Sequence, residues 1–358
     1  MPKPAVLFGG PSPEHDVSVL TGLQAARALD GATGVYWSKD GRFWEVDGSL
    51  EAEAFADGVP RKAGQLRLVA GEGLVGRRRP LDLSALVNCC HGGPGEDGSV
   101  QGALDLAGVA YTGPTAAGAA LGMDKLAFAN VVTAAGLPSL PRVALTPDAK
   151  VPWDGPIIVK PRFGGSSIGI HVVEDAATAV ALLNQSPHLR AGAVAEPYRA
   201  DAYDLNVAVR SWPDMELSAI ERPVRTQGGQ FLGYQDKYLG GEGMASAPRE
   251  LPAGLPEGVG ERLRGMARTV AALAGVRGVA RIDFLAVGED AGELYVNEVN
   301  TIPGSLARYL WVEPVLPFRR LLDDLLDEAV RRPSFAWSTQ GADGTALRAA
   351  GSIAGKLA

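Results

Sequence analysis

Cysteine is scarce in this chain of 358 residues: only Cys89 and Cys90 occur, side by side at the end of the apolar run LSALVNCC. Adjacent cysteines cannot build a disulfide framework and lack the spacing of a zinc site, so they read as small buried hydrophobes. Histidine is nearly as rare, and His15, His91, His171 and His188 show no HExxH-like spacing, which argues against zinc. No window approaches the roughly eighteen apolar residues of a membrane span, and the opening MPKPAVLFGG has neither an extended apolar core nor a cleavage signal. A soluble, cytoplasmic protein with no membrane partner is the expectation. Positive charge is also short: a formal net charge of −7 and a pI near 5.3 leave little for a nucleic-acid partner, which usually needs a basic face.

What is present is globular in type, with 46% apolar and 21% charged residues, and the length allows two or three domains. Residues 4–9 (PAVLFG) read as a buried strand running into Gly9-Gly10-Pro11-Ser12-Pro13-Glu14. Ser12 is a good N-cap and Pro13 suits a first helical turn, so a helix is expected through Leu20, Leu23, Ala26 and Leu29. The strand Leu83–Cys90 and the loop His91 to Gly98 (HGGPGEDG) repeat that logic. Loops at the carboxyl ends of strands are where open α/β sheets bind ligands, so both can face one crevice; as plain tight turns they would carry no function.

A composition shift near Pro114 marks a first boundary, after which Met123-Asp124-Lys125 opens a helix running to Ala135. Residues 156–160 (PIIVK) and 168–173 (IGIHVV) read as strands joined by Pro161-Arg162-Phe163-Gly164-Gly165-Ser166-Ser167. With Lys160 at the strand end, this loop suits a phosphate clamp, whose glycines let backbone N–H groups turn inward; a plain hairpin with one exposed lysine is the alternative. The loop also matches the esterase pattern G-x-S-x-G, but Ile168, Ile170 and Val172 alternate as in a strand where that elbow needs a helix. Strands at 193–197 and 204–210 follow, then a glycine-rich segment from Gly228 to Gly243 containing Asp236-Lys237-Tyr238, the composition of a mobile lid or of an ordinary surface loop. Helices are expected over Gly260–Leu273 and around Leu321, Leu322, Leu325, Leu326, Ala329 and Val330, and the stretch after Pro333 shows little pattern.

The most informative feature is a hairpin: Val279–Val287 (VARIDFLAV), the turn GEDAG, and Leu294–Asn300 (LYVNEVN). Side chains alternate along strands, so Arg281 and Asp283 share one face, as do Glu298 and Asn300. Two carboxylates, an amide and a guanidinium then converge, a set of hard donors suited to Mg²⁺. The alternative is a solvated face with an Arg–Asp pair.

Taken together, GGPSPEHDVSVLTG, HGGPGEDGSVQGALDLAGVAYTG, MDK, IIVKPRFGGSSIG, DKY, RIDF and NEVNTIPG, in this order over residues 4–330, resemble the D-alanine–D-alanine ligase family of ATP-grasp enzymes. The resemblance implies α/β and α+β structure in a three-domain ATP-grasp architecture: an N-terminal Rossmann-like domain (1–113), a central lid domain (114–195), a C-terminal domain (196–333) and a tail (334–358). It implies that ATP phosphorylates one D-alanine and that the amine of a second attacks the acyl phosphate, for peptidoglycan precursor synthesis. Glu14 would hold the first ammonium and link three loops with Ser166 and Tyr238. Lys125 and Lys160 would bind ATP phosphates, Lys237 from the lid would meet the transferring γ-phosphate, Ser167 would bind ATP, Glu196 would read the adenine amine, and Asp204 would sit at the ribose. Asp283, Glu298 and Asn300 would hold two Mg²⁺ ions, for which Mn²⁺ can substitute. Arg281 and backbone donors near Gly304 would stabilise the tetrahedral intermediate, and His91, Ser305 and Leu306 would contact substrate. Family members are commonly homodimers.

Two departures stand out. Relatives continue for several residues beyond NTxPG before the serine and leucine that bind the acceptor carboxylate, whereas Pro303-Gly304-Ser305-Leu306 follow directly here; and Tyr198 to Tyr203 is longer than expected before Asp204. The shortened loop leaves open a ligase with another acceptor amino acid or amine, and Tyr238 favours an amine over a hydroxyl acceptor. A non-catalytic nucleotide-binding protein is a third reading, disfavoured by the complete set of Lys160, Lys237, Arg281, Asp283, Glu298 and Asn300.

Overall fold

The structure, a computed structural model, describes residues 3–224, 248–288, 290–334 and 337–356. The expected strand, glycine turn and helix appear as β1 (Lys3–Gly9) and α1 (His15–Ala28). Strand β1 lies at the centre of the parallel part of a six-stranded sheet, between β2 (Thr33–Trp37) and β6 (Leu83–Asn88), and β3 (Phe43–Asp47), β4 (Gly64–Val69) and β5 (Gly73–Val75) extend it antiparallel from β2. Both faces of β1 are covered, which is why it reads as one unbroken apolar run. Ala5 and Leu7 pack with Leu86 and with Leu104 of α2 (Ser99–Ala107), while Val6 and Phe8 pack with Leu23 and Val87.

Helix α1 begins later than its sequence suggests. Ser12 is not the N-cap: its Oγ accepts the N–H of Glu14 at 3.1 Å, closing a local turn, and Glu14 stands at the cap, its carbonyl accepting the Ser18 N–H at 3.0 Å while its side chain makes no capping bond. Its carboxylate is thereby released toward the interior. Strand β6, expected over Leu83–Cys90, ends at Asn88, with Cys89 and Cys90 fully buried; burial pushes the Cys90 thiol up to about 12.

A four-stranded antiparallel sheet follows, in the order β7 (Val143–Leu145), β10 (Ala193–Pro197), β8 (Ile157–Pro161) and β9 (His171–Val173), backed by α5 (Ala176–Gln185). Here the expected strand 168–173 is cut in half. Ser166, Ser167 and Gly169 take left-handed φ of 52°, 59° and 73°, so Ile168 to Ile170 belong to a turn although they alternate. The expected boundary at 195/196 falls inside β10, all of whose residues pair with β8; we propose the division after Pro197.

The third sheet is antiparallel throughout, in the order β13 (Arg249–Glu250), β12 (Glu216–Pro223), β11 (Ala202–Arg210), β14 (Val279–Val287) and β15 (Glu293–Asn300). One face is apolar: Leu205, Val207, Ile282 and Phe284 pack on α6 (Val259–Leu273) and on Phe128 and Val132 of α4 (Lys125–Ala134), which follows α3 (Ala116–Met123). Helix α4 therefore packs in this sheet's core, although the expected division places it in the central domain, residues 114–195. Asp124 caps it, accepting the N–H groups of Leu126 and Ala127 at 3.1 Å each. Finally α7 (Phe318–Arg331) returns to the first sheet, where Leu321, Leu322 and Leu325 join Val6, Phe8 and Val87 in one core. Among the described residues no helix is long and apolar enough to cross a membrane.

Candidate active site

The expected hairpin is present, with Arg281 opposite Asn300 and Asp283 opposite Glu298. A bulge at Asn297 explains why Val296 and Val299, three apart, both reach the apolar side while Glu298 and Asn300 stay on the polar one. The face is not a solvated one: Arg281 is 8% and Asp283 7% exposed. The guanidinium donates to both carboxylate oxygens, Nε to Oδ1 at 2.6 Å and Nη2 to Oδ2 at 2.7 Å, and Asn300 Nδ2 donates to Oδ2 at 2.9 Å. Burial alone would lower the guanidinium's proton affinity, but Asp283 outweighs it and holds Arg281 charged well above its ordinary range. Asn206 and Glu221 continue this polar face on β11 and β12, joined by Nδ2 to Oε2 at 3.1 Å, and Arg249 Nη1 donates to Glu221 Oε1 at 2.6 Å.

The central sheet supplies the opposite wall. Cross-strand pairing sets Lys160 beside Val194 and Glu196 beside Ile158. Lys160 Nζ donates to Glu196 Oε2 at 3.0 Å, and Arg142 Nε lies 2.9 Å from Oε1. Burial pushes Glu196 up, but Arg142 and Lys160 together outweigh it and keep the carboxyl below its usual range; burial lowers the ammonium of Lys160. Lys125 bridges the two walls, its Nζ 3.2 Å from Glu298 Oε2 and donating to the Gly164 carbonyl at 2.6 Å.

Loops from the first sheet close one end. The Ser166 hydroxyl donates to Glu14 Oε1, which holds the left-handed serine pair against the start of α1. Gly92, at φ +63°, leaves room for that carboxylate: a Cβ there would stand 2.3 Å from Glu14 Oε2. Glu96 accepts the N–H of Gly92 at 3.0 Å and of Ile302 at 2.9 Å. Burial, then the charge of Glu14, raise its carboxyl to about 7 against the opposing pull of those two donors. His91 is buried, with Nδ1 2.8 Å from the Ile302 carbonyl and Nε2 2.9 Å from Thr21 Oγ1; burial lowers its proton affinity.

One cavity between the second and third sheets is lined by Glu14, His91, Lys125, Lys160, Ser166, Ser167, Glu196, Asp204, Arg281, Asp283, Glu298, Asn300 and Gly304. Ser305 and Leu306 do not line it: Leu306 is 2% exposed in the core of the first sheet, and the Ser305 N–H donates to Thr21 Oγ1 at 3.2 Å. Lys237 and Tyr238 lie outside the described residues. Sequence reading missed Arg142 and Glu96. Arg142 stands alone between prolines and a valine, with no motif around it, while Glu96 was in view inside HGGPGEDG but had no visible partner until Ile302 was brought beside it.

A family model described as the D-ala D-ala ligase N-terminus matches residues 3–114, and one described as the D-ala D-ala ligase C-terminus matches residues 127–327. A D-alanine–D-alanine ligase of Bradyrhizobium sp. (strain ORS 278) is 34% identical over 356 residues, spanning 92% of this chain and 95% of its own. One of Methylobacterium sp. (strain 4-46) is 33% identical, spanning 94% and 93%. Among solved structures, the D-alanine–D-alanine ligase from Coxiella burnetii superposes with a TM-score of 0.77 at 23% identity, over 98% of this chain and 99% of that one. The enzyme from Helicobacter pylori does so at 0.73 and 24%, over 94% and 100%. At these identities the structural likeness speaks for the fold.

Proposed function

The chain belongs to the D-alanine–D-alanine ligase family, and on that premise we propose that the cavity between its second and third sheets is where ATP and two D-alanines meet. The fold is ATP-grasp. The enzyme is an ATP-dependent ligase that forms D-alanyl-D-alanine through an acyl phosphate, for peptidoglycan precursors. The observation that carries the site assignment is the convergence of Lys125, Lys160, Arg281, Asp283 and Glu298 on one cavity from a helix start and three strands spread over the chain.

Phosphoryl transfer needs positioning and charge neutralisation more than an acid–base pair. Lys125 and Lys160 supply positive charge at the two walls, and each is already steered by a carboxylate, Glu298 and Glu196. With its oxygens engaged by Arg142 and Lys160, Glu196 stays ionised and can accept from the adenine amine, while Asp204, which lines the same cavity, takes the ribose. Glu14, turned inward at the start of α1 and gripped by Ser166, takes the ammonium of the first D-alanine. Arg281, fixed by both oxygens of Asp283, needs no reorganisation to meet the oxyanion of the tetrahedral intermediate, and the Gly304 backbone lies in the same cavity. Lys237 and Tyr238 complete this reading from outside the described residues.

Among the described residues no three His, Cys, Asp or Glu side chains gather as a metal cluster. The set is two carboxylates and an amide, Asp283, Glu298 and Asn300, which suits an ion that completes its octahedron with water and phosphates. We assign these three to two Mg²⁺ ions, for which Mn²⁺ can substitute; when bound, the metal neutralises and orients the transferring phosphates. ATP as a substrate agrees with a cytoplasmic setting.

The test is ADP release with Mg²⁺-ATP across D- and L-amino acids, singly and in pairs, with products identified by mass. D-alanine alone should support turnover and give D-alanyl-D-alanine. Turnover only with a mixed pair would reassign the acceptor, and none with any pair would overturn the ligase reading.

A further inference from the structure

Residues 301–307 combine two unusual properties. Ser305, Leu306 and Ala307 take left-handed backbone angles in succession, φ 50°, 50° and 51° with ψ 27°, 33° and 23°. Each is disfavoured for a residue with a Cβ, which crowds the following carbonyl, and such a run persists only where the surroundings over-determine it. The surroundings here come from the first sheet's loops and helix. The Ile302 N–H donates to Glu96, its carbonyl accepts from His91, and the Ser305 N–H donates to Thr21. Pro303 and Gly304 are thus held from both sides, and these two line the cavity.

The bond directions follow from chemistry. A carbonyl can only accept, so His91 Nδ1 carries the hydrogen toward Ile302. In the neutral ring Nε2 is then an acceptor, so the Thr21 hydroxyl donates to it at 2.9 Å. Thr21 Oγ1 keeps a lone pair for the Ser305 N–H at 3.2 Å. The bonds run in one sense, from Ser305 through Thr21 and His91 back to Ile302, three residues earlier in the same turn. Thr21 is 1% exposed on α1 and does not line the cavity, so its hydroxyl acts only through this relay.

We propose that Thr21 is a positioning residue: with His91 and Glu96 it sets the Pro303–Gly304 turn, so that the backbone donors of the acyl-transfer step are formed only when the first sheet's loops are docked on the end of β15. This reassigns His91 from contacting substrate to holding the turn, and it rests on the site reading above. Thr21→Val keeps the volume and removes the hydroxyl; Thr21→Ser keeps the hydroxyl.

Steady-state assays of wild type come first, because failure to make D-alanyl-D-alanine would sink the functional reading whatever Thr21 does. In Thr21→Val, kcat is expected to fall about tenfold or more, as misplacement at a reacting centre does, with the KM for ATP unchanged. Thr21→Ser should restore turnover to within about threefold of wild type. In His91→Asn, whose shorter amide can still donate to Ile302 but presents no acceptor at the position of Nε2 facing Thr21, adding Thr21→Val should cost little more, since members of one network do not lose activity additively. Wild-type kcat in Thr21→Val, equal damage in Thr21→Ser, or additive losses in the double variant would each overturn the relay. If Thr21→Val fails to fold, the serine variant and His91→Asn still decide: near-normal kcat in His91→Asn, or tenfold loss in Thr21→Ser, would overturn it.

Discussion

The hairpin of β14 and β15 and the three loops around Gly92, Ser166 and Gly304 face the same cavity but are built in opposite ways. In the hairpin each polar side chain is set by ladder register, the apolar side chains behind the sheet, from Ala280 to Val299, fix the face, and one bulge at Asn297 corrects the count. In the loops, backbone angles are left-handed at non-glycine positions, Ser166, Ser167 and Ser305 to Ala307, and are held by bonds to residues a hundred or more positions away. Strands place the charges that persist through the reaction; loops place the groups whose exact position depends on how separate parts of the chain dock. Damage to the first should be chemical and local, damage to the second geometric.

The largest effect should come from the strand side. Arg281→Ala should lower turnover about a thousandfold, the scale of losing a preorganised transition-state donor, while ATP binding by equilibrium dialysis stays close to wild type. It should also lower stability by about 3 kcal/mol, because the buried Asp283 carboxylate loses its guanidinium counter-charge and keeps only neutral donors such as Asn300; near-normal turnover would contradict the role. On the loop side, Gly92→Ala puts a Cβ 2.3 Å from Glu14 Oε2 and should cut kcat/KM for D-alanine about a hundredfold through displacement alone. Its control is Gly102→Ala inside α2, where a Cβ meets nothing within 4 Å; that change should leave turnover intact and raise stability by up to about 1 kcal/mol. Equal effects from the two glycines would erase the distinction drawn here.

The smallest effect is on pH dependence. Glu96 is raised to about 7 in the fold from an ordinary value of 4.5, so the native state holds the proton more tightly than the unfolded chain does. Stability from this group is full below about pH 4.5, falls as pH rises toward 7, and is level above it. Glu96→Gln should flatten that interval in melting temperatures measured from pH 4.5 to 8; an unchanged slope would mean other groups set it.

Much of the strand-built half was legible in the sequence, and much less of the loop-built half. Period-two patterning puts Arg281 with Asp283 and Glu298 with Asn300 without any knowledge of the fold, and the run VARIDFLAV is bounded by clear turn residues. The same rule misled at Ile168 and Ile170, which alternate but sit in a turn created by two serines with left-handed angles; serine carries no signal for that. Ser12 looked like a helix cap because the competing bond to the Glu14 N–H is equally local. Glu96, Arg142 and Thr21 act on partners distant in sequence, so no spacing could announce them. The shortened segment after Gly304 was visible as a departure, yet its left-handed run and the inward burial of Leu306 were not.

Helix α7 carries one more consequence, for the order in which the chain can fold. Leu321, Leu322 and Leu325 complete the core on one face of the first sheet, whose strands all precede residue 90. A ribosome that has released the first three hundred residues therefore presents a sheet with all of its strands present but one apolar face only partly covered, by α1. Contacts that close so large a loop form late and slowly, and exposed apolar surface on a nascent chain invites association with other chains. The first sheet to be synthesised is among the last parts to be sealed, and chaperone capture of the emerging protein should concentrate on that face until residues 318–331 arrive.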